Sequence, residues 1–317
     1  IEEAIDVSMT TVESAKLGKV RRIDDAAGRY IEYCKSTAQT GLSLAGLKIV
    51  LDCANGATYH VAPAVFAELG AEVVVMGASP DGLNINAKVG STHPADMQER
   101  VVQECADFGI AFDGDGDRVV FADASGELVD GDELLYIIAA EQLRRGERCD
   151  GVVGTLMSNL GFELAIKALG ISFERAQVGD RYVKERMNAL GWQLGGENSG
   201  HIICGDVSTT GDGIVAALKV VQAVKASGKS LFELRKPVKK FPQIMQNIRI
   251  QKPMDLNDSE LRAAVGQVEL ELAGRGRVLL RASGTEPLVR VMVEGENSAQ
   301  VADLCQRLTD KVQKLSS

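Results

Sequence analysis

The chain has 317 residues, of which 45% are hydrophobic and 25% charged, with only 7 prolines. That length and balance fit two or three globular domains with sizeable cores and exclude a disordered or fibrous chain. A net charge of −9, from 44 acids and 35 bases, argues against a nucleic-acid surface but leaves room for local basic pockets that could hold an anion.

Residues up to about Thr37 read as helical, ending on Ile23, Ala26, Ala27, Tyr30, Ile31 and Cys34 at helical spacing. A strand over Leu47–Cys53 runs into Asn55-Gly56-Ala57, followed by a helix near Tyr59–Leu69 and a strand at Glu72–Met76. Strand, helix, strand in this order predicts a βαβ unit in a largely parallel sheet. A polar loop over Gly77–Pro94 and a helix over Ala95–Asp107 lead to the apolar strand Phe108–Phe112.

That strand delivers Asp113-Gly114-Asp115-Gly116-Asp117-Arg118. Three carboxylates at alternate positions repel one another unless a cation sits between them, and hard oxygen donors alone point to Mg²⁺. The glycine spacers let the backbone curl so that the acids converge. An EF-hand loop would need Gly at its sixth position and Glu at its twelfth, where this chain has Arg118 and Ala124. A solvated acidic turn is the bland alternative, and the apolar runs on both sides, Phe108–Phe112 and Val119–Ala122, argue against it.

The first α/β domain is expected to close near Asp123, giving residues 1–123, and a second to cover 124–238. The second opens on a helix over Asp130–Arg145, capped by Asp130. It then repeats the scheme with strand Gly151–Met157, helix Asn159–Leu169, strand Ser172–Val178, helix Arg181–Leu190, the stretch Gln193–Cys204 and helix Gly213–Ala226. Similar lengths and element order suggest two copies of one fold. Residues 239–317 change pattern, with strands Ile244–Ile250, Val278–Ala282 and Leu288–Glu294 and helices Asp258–Leu272 and Ala299–Leu315. The predicted fold class is α/β, with two tandem three-layer α/β domains of similar fold followed by a small α+β C-terminal domain.

Gly195-Gly196-Glu197-Asn198-Ser199-Gly200-His201 packs a carboxylate, an amide, a hydroxyl and an imidazole between glycines. Such a loop offers donors and acceptors to a polyhydroxylated ligand, or is a polar hairpin tip. Arg281-Ala282-Ser283-Gly284-Thr285-Glu286-Pro287, with Arg290 in the next strand, suits a phosphate through backbone N–H groups, hydroxyls and guanidinium, or is a hairpin with capping hydroxyls. Val178-Gly179-Asp180-Arg181 ends a strand and opens a helix, so Asp180 either faces a ligand or caps that helix. Thr209-Thr210-Gly211-Asp212-Gly213 reads as a helix cap.

With these motifs in order along essentially the whole chain, the sequence resembles the α-D-phosphohexomutase superfamily. Val178-Gly-Asp-Arg-Tyr-Val183 and Thr209-Thr-Gly-Asp-Gly213 are similar to its phosphoglucosamine branch rather than its phosphomannomutase branch. The resemblance implies four domains around a cleft and a phosphoserine that exchanges phosphoryl groups with a sugar phosphate through a bisphosphate. It implies that Asp113, Asp115 and Asp117 hold Mg²⁺ and that Arg118 assists the phosphoryl group. Glu197 and Ser199 would grip sugar hydroxyls, His201 and Asp180 would line the reacting end, and Arg281, Ser283, Gly284, Thr285 and Arg290 would hold the distal phosphate. The implied reaction converts glucosamine 6-phosphate to glucosamine 1-phosphate, toward cell-wall amino sugars.

One departure stands out. The family's serine loop reads approximately T-A-S-H-N-P, and Gly90-Ser91-Thr92-His93-Pro94 is only a faint echo, without the Asn and in the second domain's territory. The expectation is that the chain corresponds to domains two, three and four and binds a hexosamine phosphate without turning it over. A phosphomannomutase or phosphoglucomutase, a metal-dependent phosphatase and a non-catalytic sugar-phosphate-binding fragment are the alternatives. A hinge is expected near Lys236–Phe241, as a mobile cleft would require.

The six cysteines show no C-x-x-C spacing, as expected of reduced thiols in a cytoplasmic protein. No apolar run is long enough for a bilayer span, and the acidic opening is unlike a signal peptide, so no membrane partner is expected. Because the chain opens on Ile1 instead of Met, it is expected to be part of a longer protein. The oligomeric state is open, a homodimer being one option.

Overall fold

The computed structural model describes residues 5–250, 254–282 and 287–316. Of the helix expected up to Thr37, the described residues after Ile5 form only α1 (Ala26–Ser36), and residues 6–25 hold a single 3₁₀ turn, Ser14–Lys16. Met9, Leu17 and Val20 of this segment are exposed, so the apolar spacing has no face to pack against. Without packing, a short helix is marginal.

The first sheet is built from β1 (Lys48–Asp52), β2 (Glu72–Met76), β3 (Phe108–Phe112), β4 (Val119–Asp123) and the short β5 (Leu128–Val129), in the order β2-β1-β3-β4-β5. β1 runs parallel to both β2 and β3, and β3 turns back into antiparallel β4. Helices α2 (Ala62–Glu68) and α3 (Ala95–Gln103) are its crossovers. β3 and β4 are buried on both faces and carry side chains alternately to two cores. Phe108, Ile110, Phe112, Val119 and Phe121 face the main core, while Ala111, Val120 and Ala122 meet Met97 and Val101 of α3. A Cβ on Gly109 would stand 2.2 Å from the Met97 sulfur, so α3 lies directly on β3 there.

The second sheet repeats that topology. Helix α4 (Gly131–Arg144) leads into β6 (Gly151–Thr155), α5 (Leu160–Ala168), β7 (Ser172–Ala176), α6 (Asp180–Leu190), β8 (Leu194–Gly196), β9 (Ile202–Cys204) and α7 (Gly213–Ser227). Its order is β7-β6-β8-β9, with β6 parallel to β7 and β8, and β8 antiparallel to β9. Asp130 closes a capping box on α4 with Glu133, as its sequence position predicts. α4 and α7 share one apolar core with both sheets, and α6 covers the far face of the second through Val183 and Met187. The two copies therefore correspond in strand order and direction, a likeness that residue-by-residue comparison does not reveal.

A short helix, α8 (Leu231–Arg235), precedes the C-terminal unit. There β10 (Gln243–Arg249), β11 (Gly276–Ala282) and β12 (Leu288–Gly295) form an antiparallel sheet, β10-β12-β11, backed by α9 (Ser259–Leu272) and α10 (Ser298–Ser316). It has a core of its own, including Val289, Val291, Leu304 and Leu308. Among the described residues no helix is long and apolar enough to cross a membrane.

The segment read as a hinge, with Arg235 just before it, is tied to residues of both α/β units and the turn between them. Arg235 pairs with Asp123, Glu127 and Glu133, Lys240 with Asp130 and Glu133, and the Phe241 backbone exchanges two hydrogen bonds with the Asn159 side chain. The joint to the C-terminal sheet runs through an ion pair within that sheet, Arg277 of β11 with Glu294 of β12, which grips the loop after β6. Glu294, 0% exposed, accepts from Arg277 Nε at 2.5 Å and from Leu160 N at 2.8 Å, and Arg277 also donates to the carbonyls of Leu156 and Ser158. Removing one partner leaves the other charge buried and unmet. Glu294→Ala is expected to destabilise the protein by about 3–5 kcal/mol, and Glu294→Gln, which keeps an acceptor, by less. Urea unfolding followed by circular dichroism measures both.

Candidate active site at the meeting of two hairpins

In an open parallel sheet, side chains beyond the carboxyl ends of the strands leave the hydrogen-bond ladder and can face a ligand. The turn from β3 to β4 places Asp113, Asp115 and Asp117 there. One carboxylate oxygen from each lies within 4.8 Å of the others, with Asp113 buried, Asp117 half-buried and Asp115 exposed. Burial is the largest influence on Asp113. The Arg118 N–H, 3.1 Å from its Oδ1, opposes it, but Asp117 and Asp115 add to it, and the Asp113 carboxyl is pushed up to about 7. Asp117 Oδ1 is buried with no hydrogen-bond partner. The hard oxygen donors, their excess charge and this unmet oxygen fit a divalent cation of the Mg²⁺ kind.

The hairpin is held from beneath. Ala57 N donates to Gly114 O at 2.7 Å, and Gly213 N, at the start of α7, donates to Gly116 O at 2.9 Å. Gly116 has φ +79°, and a Cβ there would stand 2.5 Å from the Thr58 side chain. Arg118 Nε is 3.7 Å from Asp113 Oδ2 and 3.8 Å from Asp117 Oδ1. It is attracted to both acids and hydrogen-bonded to neither, so its guanidinium remains available.

The equivalent turn of the second sheet, from β8 to β9, carries Glu197, Asn198, Ser199, Gly200 and His201. The two turns lie edge to edge. Arg118 and His201 form an isolated antiparallel bridge, Val119 N donates to Gly200 O at 3.0 Å, and Gly131 N donates to Asn198 O at 3.1 Å. This approach needs Gly200, with φ +94°, because a Cβ there would lie 2.1 Å from Val119 O. His201 is 3% exposed, its Nδ1 is 3.0 Å from Asp117 Oδ2, and its Nε2 has no partner. Gly211 lies against its ring, where a Cβ would come within 2.5 Å.

Glu197 Oε1 accepts the Gly179 N–H at 2.9 Å, which fixes one carboxylate oxygen. Gly179 itself caps α6, with φ 129° and ψ 134°, and Asp180 is the first helical residue. The reading of Asp180 as an N-cap is thus corrected: it is the first residue of the helix and stands exposed beyond the end of β7. Ser199 Oγ is buried without a partner. Asp212 does cap α7, accepting from Ile214 N and Val215 N at 3.0 Å each.

Arg281 and Arg290 form a separate group, directly opposite each other on β11 and β12. Burial first, then the neighbouring Arg290 charge, lowers the pKa of Arg281, and the Nε of each arginine lacks a partner. Two adjacent cations with unmet donors suit an anion. Ser283, Gly284 and Thr285 lie outside the described residues. The supporting glycines, Gly179, Gly211 and Gly213, carry no reactive group and were legible only as turn or cap signals. Ser91, from the faint serine-loop echo, donates its backbone N–H to Phe112 O at 2.8 Å, so it borders the root of the acidic hairpin.

Because Asp113 holds a proton up to about pH 7 in the metal-free protein, a cation must displace it. Mn²⁺ or Mg²⁺ binding is expected to release a proton below pH 7 and to weaken as pH falls from 8 to 6. Calorimetry in two buffers of different ionisation enthalpy reads this directly. Gly179→Ala, which strains the backbone and disturbs the N–H that holds Glu197, is expected to weaken the binding of a sugar phosphate more than that of Mn²⁺, both read by calorimetry.

The family models for phosphoglucomutase/phosphomannomutase alpha/beta/alpha domain II, alpha/beta/alpha domain III and C-terminal domain match residues 28–126, 130–241 and 232–311. A phosphoglucosamine mutase of Aeromonas hydrophila is 59% identical over 314 residues, covering 99% of this chain and 71% of its own length. One from Teredinibacter turnerae is 55% identical over 318 residues, with 100% and 71% covered. Among solved structures, the Aspergillus fumigatus N-acetylphosphoglucosamine mutase in complex with GlcNAc-6P and magnesium aligns with TM-score 0.74 at 19% identity, over 93% of this chain and 67% of that one. A phosphoglucomutase/phosphomannomutase family protein from Burkholderia thailandensis aligns with TM-score 0.73 at 20% identity, over 91% and 64%. At such identity the solved structures speak to the fold alone, and the chain spans just under two thirds of the last. The sequence relatives speak to more, and the chain belongs to the phosphoglucosamine mutase family of the phosphoglucomutase/phosphomannomutase proteins.

Proposed function

We propose that the two hairpins form the sugar-phosphate site of a mutase that interconverts glucosamine 6-phosphate and glucosamine 1-phosphate through a phosphoserine and a bisphosphate. The observation that carries this reading is the Arg118–His201 bridge, which sets an acidic turn beside a donor-and-acceptor turn. Asp113, Asp115 and Asp117 would hold Mg²⁺, whose charge offsets that of a transferring phosphoryl group. Arg118, unspent on its neighbours, is placed to assist the same group.

Glu197 has one oxygen held by Gly179 and keeps the other for a sugar hydroxyl. Ser199, whose buried hydroxyl has no partner, and the exposed Asp180 would meet the same ligand, and His201, hydrogen-bonded to Asp117, would line the reacting end. Arg281 and Arg290 would draw the distal phosphate, together with Ser283, Gly284 and Thr285. The separate sheets are in line with three units near 1–123, 124–238 and 239–317, except that β5 (Leu128–Val129) joins the first sheet from beyond the first limit. The scattered cysteines fit a cytoplasmic setting.

No serine in these 317 residues stands in a T-A-S-H-N-P-like loop, which favours a binding role for the chain by itself. With Mg²⁺ present, calorimetry is expected to show tighter binding of glucosamine 6-phosphate than of mannose 6-phosphate or glucose 6-phosphate. Glu197→Ala should weaken that binding by about tenfold or more, as loss of a charged hydrogen bond implies. A preference for either of the other sugars would move the protein to that branch. Sustained production of glucosamine 1-phosphate by these residues alone would overturn the expectation that they bind without turnover.

A further inference from the structure

The acidic hairpin rests on α7, and the start of α7 is held in turn by a residue from the other end of the fold. Tyr30 of α1 donates its hydroxyl hydrogen to Asp212 Oδ2 at 2.8 Å, across 182 residues of sequence. Asp212 spends only Oδ1 on capping α7, through the Ile214 and Val215 N–H groups. Its second oxygen is not needed for the cap. The hydroxyl is likewise not needed for packing, which a phenylalanine ring would satisfy equally. Burial and the adjacent Asp212 charge both raise the Tyr30 pKa, so the phenol stays a neutral donor.

Asp212 is flanked by the two contacts that matter most to the hairpin. Gly211 lies against the His201 ring, and the Gly213 N–H meets Gly116 O at 2.9 Å, between the proposed metal ligands Asp115 and Asp117. Gly213 has no slack. A Cβ there would stand 2.8 Å from Gly116 O and 2.9 Å from Arg118 O. One turn further along α1, Tyr33 OH reaches Val207 O at 3.1 Å, so the same helix holds the loop before α7 at a second point.

We propose that Tyr30 is a positioning residue for the metal hairpin, acting through Asp212 and the first turn of α7 to set the Gly116 carbonyl and the His201 ring. The proposal rests on the reading of Asp113, Asp115 and Asp117 as cation ligands. Outer partners of metal sites hold their ligands in register, and a loosened support lowers affinity without removing a ligand.

The test compares the chain with Tyr30→Phe, Asp212→Ala and Asp212→Asn, using Mn²⁺ alone as the probe. Tyr30→Phe is expected to raise the Mn²⁺ dissociation constant by about 3- to 10-fold, below the range for direct outer-sphere partners. In the metal-free protein it should speed amide exchange at Gly213 and Arg118 while leaving the C-terminal sheet unchanged. Asp212→Ala should do the same or more. Asp212→Asn keeps an oxygen for the cap and can donate to the Tyr30 oxygen, so it should restore affinity to near the parent value. Unchanged Mn²⁺ affinity and unchanged exchange in Tyr30→Phe would overturn the proposal, as would Asp212→Asn behaving like Asp212→Ala. If the parent chain binds no Mn²⁺, or binds it equally after Asp115→Ala, the cation reading fails instead. The exchange rates at Gly213 and Arg118 then decide the Tyr30 link by themselves.

Discussion

Three carboxylates cannot be held at the end of a buried strand unless something fixes the backbone against their repulsion. Here that constraint is met by contact with a second turn. Arg118 and His201 pair as neighbouring strands do, although they belong to different sheets, and Val119 and Gly200 share the same seam. The seam closes only because Gly200 and Gly213 present no side chain to the backbone they meet. The acids are thus braced by main-chain hydrogen bonds from outside the turn. Burial first, and the neighbouring Asp117 and Asp115 after it, make Asp113 hold its proton more tightly than an exposed aspartate does.

Duplication explains why these turns meet. In each α/β domain the first strand lies between the second and third, and the third turns back into an antiparallel fourth. The turn after the third strand therefore occupies the same topological place twice. One copy carries acids and suits a cation, and the other carries mixed donors and acceptors and suits hydroxyls. Helices α4 and α7, buried in the core common to both sheets, hold the copies in fixed relation.

The C-terminal unit is attached by a different logic. Its core is separate, and its joint is the Glu294–Arg277 pair together with the carbonyls of Leu156 and Ser158. Those carbonyls belong to the loop after β6, on the same carboxyl-end side as Asp180 and Glu197. A polar joint of this type is specific in geometry and less costly to shift than an apolar core. The arginine pair on β11 and β12 is carried by the unit that this joint attaches.

Much of the fold could be read from local pattern. The apolar runs of β3 and β4, the acid cap of α4 and the change of pattern after Pro237 are short-range signals, and each corresponds to an observed element. The acidic hairpin was equally legible, because apolar runs on both sides set its glycine-spaced carboxylates at a turn between two strands. The N-terminal helix was misread because spacing records an apolar face without saying whether anything covers it. Tertiary structure alone decided that Asp117 meets His201, that Gly179 holds Glu197, and that Tyr30 reaches Asp212. Those pairs are 84, 18 and 182 residues apart. Composition and periodicity act over one or two turns of chain, so the chemistry of each loop was determined locally, while its partners were set by how two sheets and their shared helices pack.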